Sequence, residues 1–421
     1  MHGTRPDDIR VFLVGVRSPG ESHAQAHLRL QELESLVTTL GMIPVGQTIL
    51  TVKMEKSATL IGQGQAQDLK ETVGNSEAGH VAFDCDISPR AQRNLEEILE
   101  KPVTDRQGII IQIFATRAAT REASLQVELA RLHYMLPRLT GSYEELSRQQ
   151  GGVKGTRGGG EAQIELDRRR ISERIARLKE ELKKVRSTRE RQRAGRKNHD
   201  IPVGAIVGYT NSGKSSLLKA LSGAEILVED KLFATLDPTT RRIKLPESGE
   251  VLLSDTVGFV SNLPHHLVDA FRSTLEEAAQ ADFLIIVCDA SHPDMMACYH
   301  TTLEVLHELE ADVKSIITLL NKMDAPAEEF AVARLQSTAQ KVIPASVKTG
   351  MGLDSLLDAI GETAYSTYPP IAYSLPADRH DLVALARRSG RIEHLSYEEE
   401  SINMTARIVP SRRGELAPFA L

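Results

Sequence analysis

The segment from Gly208 to Ser215 constrains this chain more than any other, because it reads Gly-Tyr-Thr-Asn-Ser-Gly-Lys-Ser and matches the pattern G-x-x-x-x-G-K-S. It follows an apolar run, Val203–Val207, that predicts a buried strand, and it leads into Ser215–Ser222, which predicts the start of a helix. Glycines let such a backbone turn tightly, so that its N–H groups point at one phosphate chain. The segment therefore predicts a site for a nucleoside triphosphate and leaves the base open.

Two side chains of this loop have expected roles. Lys214 is expected to reach the β- and γ-phosphates, and the Ser215 hydroxyl is expected to bind Mg²⁺. The predicted nucleotide contacts in the loop are Gly208, Tyr209, Thr210, Asn211, Ser212, Gly213, Lys214, Ser215 and Ser216.

Two later segments predict that the base is guanine. Asn321, Lys322, Met323 and Asp324 directly follow the strand-like run Ile316–Leu320, and nucleotides bind at such strand ends in open α/β sheets. The Asp324 carboxylate can accept two hydrogen bonds from guanine N1–H and N2–H₂, whereas adenine lacks this donor pair and would leave buried polar groups unpaired. A further segment follows the run Val342–Pro344 and is expected to close over the base, namely Ser346, Val347 and Lys348.

A fourth segment provides the expected contacts to the metal and the γ-phosphate. Asp255, Thr256, Val257 and Gly258 follow the strand-like run Val251–Leu253. Asp255 is expected to hold Mg²⁺ through water, and the N–H of Gly258 is expected to sense the γ-phosphate. Four segments in this order, each at a strand end, predict a protein that binds GTP and GDP with Mg²⁺ and hydrolyses GTP.

The residue after Gly258 predicts a slow enzyme. Many small GTPases place a glutamine there to orient the attacking water, whereas this chain has Phe259, which cannot hydrogen-bond to water. Intrinsic hydrolysis is therefore expected to be slow. A partner that orders the switch segments or supplies a polar group is expected to accelerate it.

Composition is that of a multidomain globular protein. The chain has 421 residues, of which 41% are hydrophobic and 26% are charged, so about two to four domains are expected. The start, Met1–Asp8, has no apolar signal-peptide core, and no apolar run is long enough to span a bilayer. Cys85, Cys288 and Cys298 have no metal-binding spacing. These features predict a cytoplasmic protein without a transmembrane segment.

The order of elements predicts an α/β fold. At the N-terminus, strand-like Ile9–Val16 and Val81–Asp84 alternate with helical His27–Thr39, and Val103 followed by Gly108–Phe114 is expected to add a further strand. Near the C-terminus, Asp378–Arg388 predicts a helix and Ser401–Val409 a strand. The predicted divisions are an N-terminal α/β subdomain (1–120), a helical hairpin (121–198), a P-loop GTPase domain with a mostly parallel, doubly wound sheet (201–366) and a small α+β C-terminal domain (367–421).

Apolar spacing predicts the two helices of the hairpin. The first is expected from Arg121 to Leu136 and the second from about Glu161. The residues that recur at helical spacing and form the expected seam are Leu125, Leu129, Leu132, Leu136, Ile164, Ile171, Ile175, Leu178, Leu182 and Val185. The expected connection, Gly151–Gly160, is rich in glycine and carries Lys154 and Arg157.

The second helix is strongly basic from Arg168 to Lys197, with only a few acidic residues among its lysines and arginines. Two interpretations stay open, a solvated helix face and a local phosphate-binding surface. The net charge of the whole chain is −6, which argues against bulk affinity for nucleic acid, and no DNA partner is expected.

Taken together, these motifs resemble the HflX family of translational GTPases over nearly the whole length of the chain. The resemblance rests on the four nucleotide-binding segments and on Leu232–Arg241, Asp255–Phe259, Gly155–Glu161 and Leu125–Leu129. It implies the four-part organisation given above, binding to the large ribosomal subunit, and splitting or rescue of stalled ribosomes. The implied contact to ribosomal RNA is the hairpin, from Gly151 to Lys197, and a monomer is the expected state.

Within Leu232–Arg241, the resemblance implies that Thr235 is the switch threonine, whose hydroxyl completes the Mg²⁺ shell. Thr239 and Thr240 are competitors for this role. The implied nucleotide contacts in this segment are Phe233, Ala234, Thr235, Leu236 and Asp237. The expected catalytic residues are Lys214, Thr235 and Gly258, and the expected metal ligands are Ser215, Thr235 and Asp255.

Two segments depart from the family pattern. In the hairpin connection, Lys154 is an addition and Gly159 replaces a proline, so a looser tip is expected. Ile61–Gln65 lacks the lysine that follows the glycines in many relatives, for which an N-terminal ATP site has been proposed. A turn that ends a strand is therefore the predicted role of Ile61–Gln65.

A ribosome-associated GTPase is the leading functional hypothesis. A GTP-regulated RNA-binding or ribosome-assembly protein is the alternative. A metabolic kinase is a third possibility, and Asn321–Asp324 together with the switch segment argue against it.

Overall fold

The computed structural model describes residues 9–52, 58–139, 157–197, 201–223, 232–233, 236, 238–260, 277–311 and 314–421. Within the long helix 157–197, side chains are described for residues 165–185 and 187. The chain divides into two compact units; the described residues up to Val185 belong to one, and the described residues from Arg186 onwards belong to the other.

The N-terminal unit contains a parallel four-stranded sheet with the order β2-β1-β3-β4. Its strands are β1 (Arg10–Arg17), β2 (Ile43–Thr51), β3 (His80–Phe83) and β4 (Val103–Asp105). The helices that follow them are α1 (His23–Thr39), α2 (Gln63–Gly74), α3 (Pro89–Leu99) and α4 (Arg106–Arg117). Alternation of strand and helix, which the sequence predicts for this part, is thus present, although β2 and α2 were not expected.

Two predictions for this sheet are wrong. Gly108–Phe114 belongs to α4 and not to a strand, because the Asp105 carboxylate caps the helix by accepting the Gly108 N–H at 2.8 Å. An apolar run that is buried all round has no periodicity to distinguish helix from strand. Ile61–Gln65 does not end a strand; Gly62 is the N-cap of α2, and the Gln65 side chain accepts the Gly62 N–H at 3.1 Å.

The predicted helical hairpin is formed by α5 (Arg121–Met135) and α6 (Arg157–Lys197). Arg174 makes a bidentate pair with Glu128 at 2.8 Å for both bonds, while Arg121 faces Glu181 at 3.7 Å, so the two helices run antiparallel. Their shared core consists of Leu125, Leu129, Ile175, Leu178 and Leu182, with Leu132, Leu136, Ile171 and Val185 at its margin. These are the predicted seam residues except Ile164, whose side chain lies outside the described residues.

The start of α6 corrects the expected connection. The helix begins at Arg157 and not near Glu161, so the last part of the expected loop Gly151–Gly160 is helical. Residues 151–156, with Lys154, lie outside the described residues. The helix continues as far as Lys197.

The second unit contains a six-stranded sheet with the order β10-β9-β8-β5-β7-β6. The strands are β5 (Val203–Gly208), β6 (Thr239–Lys244), β7 (Glu250–Asp255), β8 (Phe283–Asp289), β9 (Ser315–Asn321) and β10 (Val342–Pro344). Only β6 pairs antiparallel, with β7, so the sheet is mostly parallel as predicted. The described helices that connect or follow these strands are α7 (Lys214–Ser222), α8 (Met295–Glu308), α9 (Glu329–Thr338) and α10 (Leu353–Tyr365).

An antiparallel sheet follows, with the order β11-β13-β12. Its elements are β11 (Ile371–Pro376), α11 (His380–Ser389), β12 (Gly390–Tyr397), β13 (Ser401–Ile408) and the short α12 (Arg413–Leu416). The predicted helix and strand of this region are present, and β11 and β12 are additional. The turn between β6 and β7 joins it, because Gly249 N–H donates to the Gly390 carbonyl at 2.8 Å.

The proposed domain divisions at 120/121, 198/201 and 366/367 stay predictions. Among the helices that the structure describes, none has the length and apolar character of a membrane span.

The hairpin core allows a test of how the two helices are held together. Leu178 is 0% exposed in the shared core, whereas Leu166, which lies about three turns earlier on α6, is 48% exposed. Leu178→Ala is expected to lower the local unfolding free energy of the hairpin by about 2–5 kcal/mol, because it leaves a cavity. Leu166→Ala is expected to change it by less than about 0.5 kcal/mol. Hydrogen–deuterium exchange of α5 peptides measures both, and equal effects would contradict the packing described.

Candidate functional site

The phosphate-binding loop connects β5 to α7 and is held from the side by β9. Gly213 has a left-handed backbone (φ 100°), and a Cβ there would lie 2.4 Å from Asn321 Nδ2. That amide donates to the Ser212 carbonyl at 2.9 Å. Glycine is therefore required at 213 by both conformation and space. The loop is thus fixed to the end of the strand that leads into the predicted base-reading segment.

Lys214 lies over the loop that precedes it. Its Nζ donates to the Tyr209 carbonyl at 2.7 Å, and the residue is only 6% exposed. Burial lowers the pKa of Lys214 to about 8, and the nearby Asp255 carboxylate opposes this shift. The ammonium group is therefore poorly solvated, and a phosphate chain in the loop would supply the negative charge that it lacks.

The predicted metal ligands Ser215 and Asp255 lie together. Ser215 Oγ donates to Asp255 Oδ2 at 2.6 Å, because the ends of β5 and β7 are neighbours and Ile206 pairs with Asp255. A hydroxyl and a carboxylate oxygen are ligands that suit Mg²⁺, which otherwise retains water and phosphate oxygens. The described residues contain no cluster of His, Cys, Asp and Glu that would form an all-protein metal cage. The pair fits Mg²⁺ bound mainly through nucleotide and water.

The switch segment is described only in part. Ala234, Thr235 and Asp237 lie outside the described residues, while Phe233 and Leu236 are buried. Of the two competing threonines, Thr240 forms a hydrogen bond with Ser254 Oγ at 2.8 Å. Thr239 pairs with Asp255 in the β6–β7 ladder. The role of Thr235 stays a prediction.

Gly258 approaches the phosphate-binding loop closely. A Cβ at this position would lie 2.9 Å from Lys214 Nζ and 2.9 Å from Thr210 Cα. The next residue joins the same loop through its backbone, since Phe259 N–H donates to Gly208 O at 3.1 Å and Thr210 N–H donates to Phe259 O at 2.7 Å. Phe259 is 1% exposed. Its ring is therefore part of the core and offers no polar group to a water molecule.

The predicted base-reading residues are joined by hydrogen bonds. Ser346 Oγ donates to Asp324 Oδ1 at 2.7 Å, and Val347 N–H donates to Asn321 Oδ1 at 3.0 Å. The Ser346 hydrogen bond lowers the pKa of Asp324, and the charge of Lys348 contributes. Asp324 is therefore an ionised acceptor, as the recognition of guanine N1–H and N2–H₂ requires.

Asp289 is a site residue that sequence reasoning missed. Its Oδ2 lies 2.7 Å from Lys322 Nζ, and its Oδ1 accepts from Ser291 Oγ at 2.6 Å. Because β8 lies between β9 and β5, this ion pair draws the Lys322 side chain towards the phosphate-binding loop. The available signal was a carboxylate directly after the strand-like run Phe283–Cys288.

The structure thus brings the predicted segments to one edge of the six-stranded sheet, apart from the residues of the switch segment outside the described ranges. Asn211 has a left-handed backbone (φ 59°) in the turn of the loop, and Ser216 lies in the first turn of α7. Thr256 is buried behind the site, with its hydroxyl donating to Ile206 O at 2.8 Å. The nucleotide contacts of the individual residues stay predictions.

Known protein families and individual proteins are similar to this chain over most of its length. The chain matches the family models described as GTP-binding GTPase N-terminal over residues 27–115, GTP-binding GTPase middle region over 117–196, and 50S ribosome-binding GTPase over 203–322. A relative from Treponema denticola named GTPase HflX is 52% identical, over 77% of this chain and 85% of that protein. Another from Akkermansia muciniphila with the same name is 44% identical, over 94% and 93%.

A solved structure is also similar. It is a GTP-binding protein from the archaeon Sulfolobus solfataricus in complex with GDP, 26% identical to this chain. The match covers 85% of this chain and 99% of the archaeal one, with a TM-score of 0.44.

The lowered pKa of Lys214 generates a prediction about pH. Phosphate favours the charged ammonium, so the pKa of Lys214 is higher in the complex than the value of about 8 in the nucleotide-free protein. GDP affinity is therefore expected to be constant well below pH 8 and to fall above it, by up to about tenfold per pH unit. Binding above pH 8 is expected to take up a proton.

Isothermal titration calorimetry in buffers of different ionisation enthalpy measures both effects. Lys214→Met is the control, because any pH dependence that remains in this variant comes from the nucleotide or from other groups. The same pH dependence in Lys214→Met and in the parent chain would exclude Lys214 as the titrating group.

The ionised Asp324 generates a prediction about the base. Asp324→Asn is expected to shift preference from guanosine towards xanthosine nucleotides, because the amide offers a donor where xanthine carries a carbonyl. Competition between GDP and xanthosine diphosphate for the variant measures this. Glu362→Gln, which alters a distant carboxylate paired with Lys341, is the matched control. A variant that keeps the parent preference for GDP would remove Asp324 from base recognition.

Proposed function

We propose that this chain, which belongs to the GTPase HflX family, is a cytoplasmic, Mg²⁺-dependent GTPase that splits or rescues stalled ribosomes. The chain is a P-loop GTP hydrolase, and we propose that its partner is the large ribosomal subunit and that it acts as a monomer. One observation carries this proposal: the domain that holds the nucleotide site matches a model described as 50S ribosome-binding GTPase.

The metal would be held by Ser215 and Asp255, whose oxygens already lie 2.6 Å apart, together with Thr235. When bound there, Mg²⁺ would neutralise charge on the β- and γ-phosphates.

The chain's own residues bind and orient GTP. Asp324 accepts from the guanine edge, the loop N–H groups and Lys214 hold the phosphates, and the Gly258 N–H faces the γ-phosphate. Phe259 is buried beside them and cannot position water. The site is therefore built for tight binding and slow turnover. A partner that orders Thr235 and Gly258, or that supplies a polar group, would accelerate hydrolysis.

The basic face of α6 is the proposed contact to ribosomal RNA. Arg174 is engaged by Glu128 within the hairpin, so it holds the two helices together. Four other cations on α6 are exposed and form no ion pair among the side chains described there, namely Arg168, Arg177, Lys179 and Lys183. Charges that the hairpin does not use for its own stability are available to phosphates. The tip residues 151–156 extend this proposal and lie outside the described residues.

Sedimentation through a sucrose gradient with a non-hydrolysable GTP analogue tests the partner. We expect the chain to migrate with intact large subunits in the presence of the analogue and to remain near the top of the gradient with GDP. Binding to free RNA without migration on subunits would favour the alternative, a GTP-regulated RNA-binding or assembly protein.

The basic face generates a quantitative prediction. Arg177→Ala with Lys179→Ala is expected to weaken subunit binding and to reduce the slope of log K against log salt by about one to two, because each lost phosphate contact removes about 0.7–0.9. Intrinsic GTP hydrolysis is expected to stay unchanged. The control is Arg387→Ala with Lys244→Ala, which changes net charge equally at exposed positions that are not part of α6. Equal losses in the two double variants would show that only net charge matters.

A further inference from the structure

A small cavity lies against the phosphate-binding loop, on the side of β8 and α8. Its volume is about 20 Å³, and residues of the loop, of the end of β8 and of α8 line it, among them Thr210, Ser212, Cys288, His292 and Cys298. About 10–15 Å³ by this measure is needed to hold one water. The cavity therefore accepts a single atom of the size of water oxygen and nothing much larger.

Two hydroxyl groups of the loop point to a polar occupant of this cavity. Thr210 is 8% exposed and Ser212 is 1% exposed. Neither Thr210 Oγ1 nor Ser212 Oγ has a hydrogen-bond partner among the described residues. A buried hydroxyl without a partner costs free energy, so an oxygen atom placed in the cavity would be bound favourably.

A thiol faces the same cavity from α8. Cys298 Sγ lies 3.6 Å from His292 Nδ1 and 3.9 Å from Nε2. His292 Nδ1 accepts the backbone N–H of Asp294 at 3.0 Å, so the lone pair of this nitrogen is occupied and Nε2 is the ring nitrogen that carries a proton. The Nε2–H group lies within reach of the sulfur at 3.9 Å, and a donor next to a partly exposed thiol stabilises the thiolate, which is the reactive form.

The other two cysteines of the chain are protected by their surroundings. Burial raises the pKa of Cys288 to about 12, and burial together with Asp84 and Asp86 raises the pKa of Cys85 further. Both thiols therefore remain protonated and unreactive at neutral pH. They provide internal controls within the same molecule.

We propose that Cys298 is a modification site at which hydroperoxides and other small thiol-reactive compounds act on the phosphate-binding loop and so control nucleotide binding. With hydrogen peroxide, the sulfur attacks one oxygen, an S–O bond forms and the O–O bond breaks. The thiol proton passes to solvent water, and the departing hydroxide takes up a proton from solvent and leaves as water. Sulfur loses two electrons, the peroxide gains two, and the product is the sulfenic acid of Cys298.

The size of the cavity determines what each modification does. The single oxygen of a sulfenic acid fits the cavity and can form hydrogen bonds with the hydroxyls of Thr210 and Ser212. An alkyl adduct that enters the cavity exceeds its volume and would displace these two residues. Thr210 Cα also lies where Gly258 approaches the loop, so a displacement would reach the proposed γ-phosphate sensor as well as the loop itself.

The test uses the full chain and N-ethylmaleimide, followed by peptide mass spectrometry and measurement of GDP affinity. We expect alkylation at Cys298 in preference to Cys85 and Cys288, and slower alkylation when GDP is bound, because GDP holds the loop in place. The dissociation constant for GDP is expected to rise by at least about tenfold, a change of about 1.4 kcal/mol. Brief treatment with hydrogen peroxide and a dimedone probe is expected to label Cys298 with a smaller effect on affinity.

Cys298→Ser and Cys298→Ala are the controls, and each is expected to bind GDP as the parent chain does and to become insensitive to both reagents. His292→Gln is expected to slow labelling of Cys298 without changing GDP affinity. Full alkylation of Cys298 with unchanged GDP affinity would overturn the proposal, as would cysteine variants whose GDP affinity still responds to the reagents as that of the parent chain does. The proposal does not depend on the ribosomal partner, since GDP binding alone is measured.

Discussion

The side-chain amide of Asn321 is the interaction on which the nucleotide site depends, because it joins three segments that are far apart in the chain. Its Nδ2 donates to Ser212 O in the phosphate-binding loop, and its Oδ1 accepts from Val347 N–H in the segment after β10. Asn321 is buried, so a lost bond would leave a buried polar group unpaired. Both bonds exist because β5, β9 and β10 end at the same edge of one parallel sheet.

The sequence predicts the parts of the site in which a characteristic residue type directly follows the end of an apolar, strand-like run. One apolar run is followed by glycines, Lys214 and Ser215, and another is followed by Asn321 and Asp324. Few sites other than a nucleotide site need these residue types at these positions. Asp289 was missed because a lone carboxylate after a strand has many uses, and only the ion pair with Lys322 shows which one applies.

Errors in the fold arose where local pattern is ambiguous. Every residue of Gly108–Phe114 except Gln112 is buried in α4, so its apolar run resembles a strand, and the Asp105 cap and the packing decide for the helix. Gly62 lies at the start of α2 because its N–H is capped by Gln65, a contact that the glycines alone do not indicate. The hairpin seam was predictable because both helices bury a narrow, regularly spaced stripe.

Among the described residues, the site holds groups that can bind the nucleotide and, at Phe259, no group that could orient the attacking water. Lys214, Ser215 and Asp255 already lie together around the loop, whereas the position that orients water in other GTPases is held by the buried ring of Phe259. Under the proposed function, a polar group or an ordered switch segment comes from an interaction with a partner. This division between binding and turnover links the nucleotide site to the proposed action on the large ribosomal subunit.

The most direct measurement is single-turnover hydrolysis of GTP by the full chain, with and without purified large ribosomal subunits. The account predicts slow hydrolysis by the protein alone and a many-fold increase with subunits, with GTP affinity little changed. Equal rates with and without subunits, when sedimentation shows that the subunits are bound, would contradict it. The protein would then be a slow timer whose turnover does not depend on the ribosome.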